Sequence, residues 1–510
     1  MINSLLLAIS PLLLILVLIF LFRKSLTFSA PITFIFTAFI GLFVWKVYIS
    51  YMFASVFKGI LVAVDIIFII FGALFFLEFL RETKLIDSIY HYISSVSPDM
   101  RVQAILLIWF FGSFIEGTAG FGTPAAIVAP LLVGLGFPAI TAVVIALIGN
   151  STAVTFGAVG TPIRVGFANL IELPGVNFKE IAIYVGTINL FAGILVPIMI
   201  LSVVVLSKKR PQLKQIYEML PFSIFAGLCF TTPYFLLSFL GYEFPSLVGA
   251  LIGLLIIIPA TKKGFFIPRD SLKIKHKKII KQEKIFKAMM PYFILIIILI
   301  MGKLLLGSVK VNLPGDVIHT INFFNPGFAF VFAVILSSGI YKIKYIVLKN
   351  SFNNTLKILI FPFISILFIT AFVQIMMLSG NNSVGLPSMI ETIASLFKNA
   401  NINYMPFLST IIGVFGAFIA GSATVSNVIF GNFQYISAVN SAFNVSLILA
   451  LQLIGAGIGN MISLTNIVSA QATVRIHGKE KEILKKTIIP CLIYALIVGG
   501  IGLIFFKLIG

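Results

Sequence analysis

Gly112-Ser113-Phe114-Ile115-Glu116-Gly117-Thr118-Ala119 returns late in the chain as Gly416-Ala417-Phe418-Ile419-Ala420-Gly421-Ser422-Ala423, identical at five of eight positions. A second echo follows each copy: Leu147-Ile148-Gly149-Asn150 is matched by Leu453-Ile454-Gly455, with Gly459-Asn460 just after. The apolar segments around the copies also correspond, 59–81 with 358–379, 5–22 with 288–307, and 181–207 with 487–508. Basic loops give the members of each pair opposite orientations. Two halves of inverted topology are a transporter signature, with a binding site expected where broken helices meet near the midplane. The expected organisation is a first repeat over 1–207, a linking helix pair and basic loop over 208–287, and a second repeat over 288–510.

Composition places those halves in a bilayer. Of 510 residues, 60% are hydrophobic and 10% charged, against about 25% charged in a soluble domain. The apolar surplus falls in runs of about 18–25 residues, the length a helix needs to cross roughly 30 Å of hydrocarbon. Nothing shows the ten-residue alternation of a transmembrane β-barrel. The fold class expected is an all-α polytopic membrane protein with about twelve spans and two re-entrant hairpins, five spans and one hairpin per half.

The net charge is +20, from 36 Lys+Arg and 16 Asp+Glu. In a soluble chain that surplus would suggest a nucleic-acid partner. Here the basic residues sit in short loops between apolar runs and set orientation. Arg23 and Lys24, then Arg81, Lys84 and Arg101, make the ends of the first and third spans cytoplasmic. The N-terminus is therefore expected outside, in a bacterial inner membrane. The longest basic loop runs from Lys262 to Lys287 and reads as a solvated linker. Further spans are expected at 30–50, 219–240, 246–261 and 327–341. Cys229 and Cys491 have no paired spacing, and His91, His276, His319 and His477 lack ligand spacing, so neither disulfide nor metal is expected. No phosphate-cradling loop and no HExxH motif occurs, which removes ATP-driven transport and membrane zinc proteolysis. No enzyme and no cofactor is implied.

Two stretches, 102–170 and 405–474, are apolar yet broken by Gly, Ser, Thr, Asn and Pro. Each reads as a re-entrant hairpin followed by one broken spanning helix. Irregular backbone at membrane depth is tolerated only where protein buries it or it lines a wet cavity. Four clusters fit: Gly117 to Pro124, Asn150 to Gly157, Gly421 to Asn427, and Gly459 to Asn466. Glycine lets the chain turn, hydroxyls and amides supply ligands, and a half-helix N-terminus offers partial positive charge to a carboxylate. The same small residues would equally permit close helix packing. The substrate-binding candidates are Gly117, Thr118, Gly120, Gly122, Thr123, Asn150, Ser151, Arg164, Ser422, Thr424, Asn427, Asn460 and Ser463.

Ionisable groups within the membrane are few, and each is a functional candidate. Asp65 falls mid-span and Glu116 at the first hairpin tip. A carboxylate in low dielectric favours its neutral form, which suits reversible proton loading. Both are candidate proton carriers. Arg164 would clamp a substrate carboxylate bidentately, pair with Glu116, or snorkel to the interface. Glu78 and Arg81 read as helix-end anchors.

Phe114-Ile115-Glu116-Gly117-Thr118-Ala119-Gly120-Phe121-Gly122-Thr123-Pro124-Ala125-Ala126 resembles the lactate permease family. The similarity continues through Leu132 to Pro138 and Phe156 to Gly160, then Glu243 to Leu247, Gln374, Phe430-Gly431-Asn432 and Met461-Ile462-Ser463. The resemblance implies uptake of L-lactate, D-lactate or glycolate with protons, and Asp65 matches an acidic position of the family. There are departures. The family pattern Gly-Ser-Asp-Thr reads Gly421-Ser422-Ala423-Thr424 here, and Lys-Met-Ile-Ser-Pro-Gln reads Asn460 to Thr465. Arg164 stands where the family is apolar and would replace the lost positive charge. A sodium-coupled dicarboxylate carrier, with Asn150, Ser151, Asn427 and Asn460 as sodium ligands, is the competing expectation, and an anion channel is a second.

Overall fold

The computed structural model describes residues 2–22, 24–120, 123–208, 210–268, 283–313, 317–323, 325–395 and 404–509. Most of the 262–287 loop, Gly122 and His276 lie outside the described residues. Nine described helices are long and apolar enough to cross a membrane, or up to eleven if each of two bent pairs counts as one span. Pro326–Ile340, with 15 residues, is shorter than a span; the expected short segment at 327–341 sits there. The protein is an all-α polytopic membrane protein.

Both stretches read as broken fold into helical hairpins. In the first, Met100–Ala119 is one leg of 20 residues, buried from Arg101 onward, and a π-helical segment, Leu106–Gly112, carries it on without interruption. The return leg is Thr123–Gly134. A Cβ at Gly112 would lie 3.8 Å from Val128, which fixes the legs as antiparallel about Gly120. In the second, Met405–Ala420 and Ala423–Asn440 pack antiparallel about Gly421, and Ser409 shares a 2.9 Å hydrogen bond with Gln434 across the legs. Gly120 (φ 56°, ψ −152°) and Gly421 (φ 69°) both occupy backbone regions that glycine enters at least cost, so each turn requires its glycine.

A broken helix follows each hairpin. Ala139–Asn150 and Ala153–Arg164 meet at 54°. Within the second piece, Ala158, Val159 and Gly160 have φ of 41°, 55° and 77°. Two consecutive non-glycine residues in that region, one β-branched, are strained and persist only where packing holds them. Val445–Gly459 and Leu464–Thr473 form the counterpart in the second half. Pro197 bends the expected 181–207 span. Its ring crowds the carbonyl of Gly193 four residues back, and Phe178–Ala192 and Leu195–Leu206 meet at 43°.

Two long helices, Ile49–Glu82 and Tyr345–Leu378, have 34 residues each. Hydropathy alone marked only 59–81 and 358–379, because Lys58 and Lys357 interrupt the apolar runs. The helices cross where Gly59 meets the backbone of Ala371, and Thr370 Oγ1 donates to the Gly59 carbonyl at 2.8 Å. The linking pair, Lys214–Ser238 and Pro245–Lys262, is more than a tether. Ser246 Oγ donates to the Ala153 carbonyl at 2.7 Å, and the buried Tyr234 hydroxyl bonds Thr155. Asn189, Tyr494 and Thr152 complete this polar knot around the first break. One further difference from the sequence reading is an antiparallel strand pair, Ser308–Leu313 with Val317–Asn322, after the helix Glu283–Leu305.

Candidate functional site

Both hairpin tips and both helix breaks converge on one small chamber of about 20 Å³. Its walls are Glu116 and Gly120 from the first tip, Gly421 to Thr424 from the second, Val154, Gly157, Ala158, Thr161 and Pro162 from the first break, and Asn460 from the second. The volume is room for about one water. Two helices begin here. Ser422 caps the 423–440 helix, accepting from the Val425 N–H at 3.4 Å, and Ser463 precedes the 464–473 helix. Their N-termini bring partial positive charge into a chamber that, among the described residues, has no cationic side chain in its wall.

Glu116 is the ionisable group of this chamber and is 2% exposed. Asn150 Nδ2 donates to its Oε2 at 2.8 Å. Its other oxygen lies against Gly157, where any Cβ would strike it. The extended backbone at Gly157 (φ −62°, ψ 154°) suits any residue, so the glycine there makes room for the carboxylate. Ala423 and Asn460, two of the departures from the resembled pattern, both line this chamber.

The other candidates sort by what they touch. Asn427 Nδ2 donates to the Pro162 carbonyl at 3.0 Å and so ties the second hairpin to the first broken helix. Ser463 shares a 2.8 Å bond with Thr465 beside Gly421. Thr118 and Ser151 return their hydroxyls to their own backbone, at 2.8 Å to Ile115 and Ile148 respectively. Gly117 abuts the backbone of Ser246 and Leu247, a close helix approach rather than a chamber wall. Thr123 opens the return leg, its side chain outside the described set, as is Gly122.

Asp65 and Arg164 meet elsewhere. They line a second cavity of about 430 Å³, with Arg164 Nε 3.7 Å from Asp65 Oδ2. Arg164 therefore engages Asp65, not Glu116, and adds no charge to the chamber wall. Asn325 Nδ2 donates to Asp65 Oδ1 at 2.6 Å. A second pair, Lys58 with Glu172 at 3.7 Å, lines the same cavity. Lys58, Glu172, Asn325 and Tyr242 were missed in the sequence. Lys58 lies seven residues before Asp65, two turns along one helix face, and that spacing was the available signal. The first broken helix is the shared wall: Thr161 and Pro162 face the chamber, Arg164 the cavity.

Comparison with known proteins bears on this arrangement. The sequence profile of the L-lactate permease family matches residues 4–310 and 305–509. A Haemophilus influenzae protein is 30% identical over 486 residues, covering 89% of this chain and 88% of its own. The L-lactate permease of Bacillus subtilis is 28% identical, covering 84% of this chain and 83% of its own. The glycolate permease of Escherichia coli is 27% identical, covering 93% and 91%.

Proposed function

The chain belongs to the L-lactate permease family, and on that footing we propose that it takes up a small monocarboxylate, L-lactate or else D-lactate or glycolate, by proton symport with alternating access. One observation carries this reading. Four Gly/Ser/Thr/Asn clusters, two from each half of the sequence, meet around a single buried carboxylate, Glu116. Helix N-termini attract the substrate anion, and Glu116 and Asp65 hold the proton. A cation must accompany the anion, since an inside-negative potential opposes a lone negative charge by about 2.3 kcal/mol per 100 mV.

Several features support two inverted repeats of five spans and a hairpin. The long helices are equal in length at 34 residues, and each half runs hairpin, then broken helix. Alternating access follows if the hairpins and broken helices move together against the crossed long helices. With the N-terminus outside, as the basic loops indicate, the larger cavity opens to the exterior and the chamber lies deeper.

Sodium is the alternative partner ion, favoured by one observation: the chamber is water-sized and walled by hydroxyl, amide and carbonyl oxygens. Uptake of labelled L-lactate into proteoliposomes, under an inward proton gradient without sodium, tests the reading. Accumulation abolished by a protonophore is expected. Accumulation only when sodium replaces potassium would move the coupling to sodium, and flux without accumulation would indicate a channel.

A further inference from the structure

Of the two cavities, the larger can admit a whole organic anion in this conformation, since about 430 Å³ is open there against about 20 Å³ in the chamber. Among the described residues, four charged side chains line it, and they form two crossed pairs between the same two elements. The first long helix contributes Lys58 and Asp65; the segment ending the first broken helix contributes Arg164 and Glu172. These two cations and two anions balance. A carboxylate entering alone would leave one uncompensated negative charge in a low-dielectric space, a costly state. A carboxylate entering with one proton leaves the lining neutral.

Asp65 is the carboxylate placed beside the cation that a substrate would seek. The Arg164–Asp65 separation of 3.7 Å exceeds the roughly 2.7–2.9 Å of a charge-assisted hydrogen bond. The pair is coulombic, and a substrate carboxylate could approach the guanidinium more closely. The Asp65 side chain is 38% exposed, and its Oδ1 accepts from the Asn325 amide. Among the described residues, the other charged or titratable groups near Asp65 are Lys58, paired with Glu172, and Tyr242, beside a Glu243 paired with Lys303. Part of the lining is apolar: the Phe68 and Phe328 rings lie 4.4 Å apart and tilted, with Leu61 and Val64 also in the wall.

We propose that this cavity is a carboxylate-binding vestibule in which the substrate carboxylate and that of Asp65 compete for Arg164, so that a proton on Asp65 admits the substrate. The inference rests on the monocarboxylate reading above and extends it. A proton converts the Asp65 carboxylate to the acid, the Arg164–Asp65 pair is exchanged for an Arg164–substrate pair, and no net charge is added. The apolar wall receives the methyl or methylene end of the substrate. A second carboxylate would bring a further negative charge with no second proton to offset it, and would have to displace Glu172 from Lys58, the other cation of the lining among the described residues, so the charge balance favours monocarboxylates. Proton and substrate affinities must then be reciprocally coupled.

Equilibrium binding of labelled L-lactate to the purified full-length protein in nanodiscs, from about pH 5 to about pH 8, is the test. In the unaltered protein Kd should rise with pH, by up to about tenfold per unit for one linked proton. Asp65→Asn, nearly isosteric and able to keep the Asn325 contact, should bind at the low-pH affinity throughout and lose the pH dependence. Arg164→Gln should weaken binding at every pH, and adding Asp65→Asn should not restore it. The inference is overturned if Asp65→Asn keeps the pH dependence, or if Glu116→Gln alone removes it. In either case proton-driven uptake by the unaltered protein would leave the symport reading standing. No binding of L-lactate or glycolate at any pH would overturn both.

Discussion

Gly157→Ala places one methyl group against the carboxylate of Glu116, and the structure sets the size of the effect. The added carbon would overlap Oε1 and lie 3.2 Å from the Glu116 carboxyl carbon. Backbone at Gly157 is extended, so alanine brings no conformational strain of its own. The carboxylate must therefore swing away and give up the 2.8 Å bond from Asn150. A hydrogen bond contributes about 0.5–1.5 kcal/mol to a neutral partner and about 1.5–3 kcal/mol to an ionised one, and at about 1.4 kcal/mol per factor of ten that is a loss of roughly 2- to 100-fold in transport rate. Uptake into proteoliposomes measures this, with elution profile and thermal stability confirming an intact fold. Glu116→Asp shortens the side chain by one methylene and vacates the space the new methyl needs. In a double-mutant cycle the two changes should then couple, with a combined loss smaller than the sum by about 1 kcal/mol. Normal transport by folded Gly157→Ala, or strict additivity, would refute the argument that this glycine exists to seat Glu116.

Two further expectations concern the frame around the site. Gly59→Leu would force a side chain into the backbone of Ala371, whose Cα lies 2.6 Å from the position of the first added carbon. Overpacking of this kind costs about 1–3 kcal/mol or more, read as a lowered midpoint in thermal unfolding in detergent; an unchanged midpoint would show that the long helices separate readily. Asp99 and Arg101 form a pair 1% exposed on each side, joined at 2.7 Å. Removing one charge, as in Asp99→Asn, should destabilise by about 3–5 kcal/mol, while Asp99→Asn with Arg101→Met should recover much of that loss; equal stability of the single and double variants would contradict it.

Hairpins and breaks were legible in the sequence because their requirements are local. A turn at membrane depth needs glycine: Gly421 lies within the second octapeptide, and Gly120 directly follows the first. Glu116 was legible as a lone carboxylate in an apolar run. The roles of hydroxyls were not legible. Thr118 and Ser151 could face a cavity or bond back to their own helix, and the sequence pattern is the same in both cases; here they bond back. Gly117 poses the same ambiguity between a ligand-facing turn and a close helix approach, and only the position of Leu247 resolves it. Pairing across the fold was equally hidden. Nothing near Arg164 in the chain indicates that Asp65, on a helix far earlier, is its partner. The extent of the long helices was underestimated because hydropathy stops at the first charge, whereas the helix continues through Lys58 and uses it.

The thin wall between chamber and vestibule has an electrical consequence. Thr161 and Arg164 stand on opposite sides of it, yet three residues of helix amount to only about 4.5 Å of rise. A continuous file of water from Asp65 to Glu116 would form a wire along which protons run down their gradient with no cargo attached, dissipating the energy that accumulation requires. The left-handed residues from Ala158 to Gly160 hold this stretch in one strained conformation, packed against the backbone of Tyr242. That rigidity makes the wall an insulator as well as a partition. Under the symport proposed above, the quality of the insulation, as much as the affinity of either site, sets how many protons are spent for each anion carried.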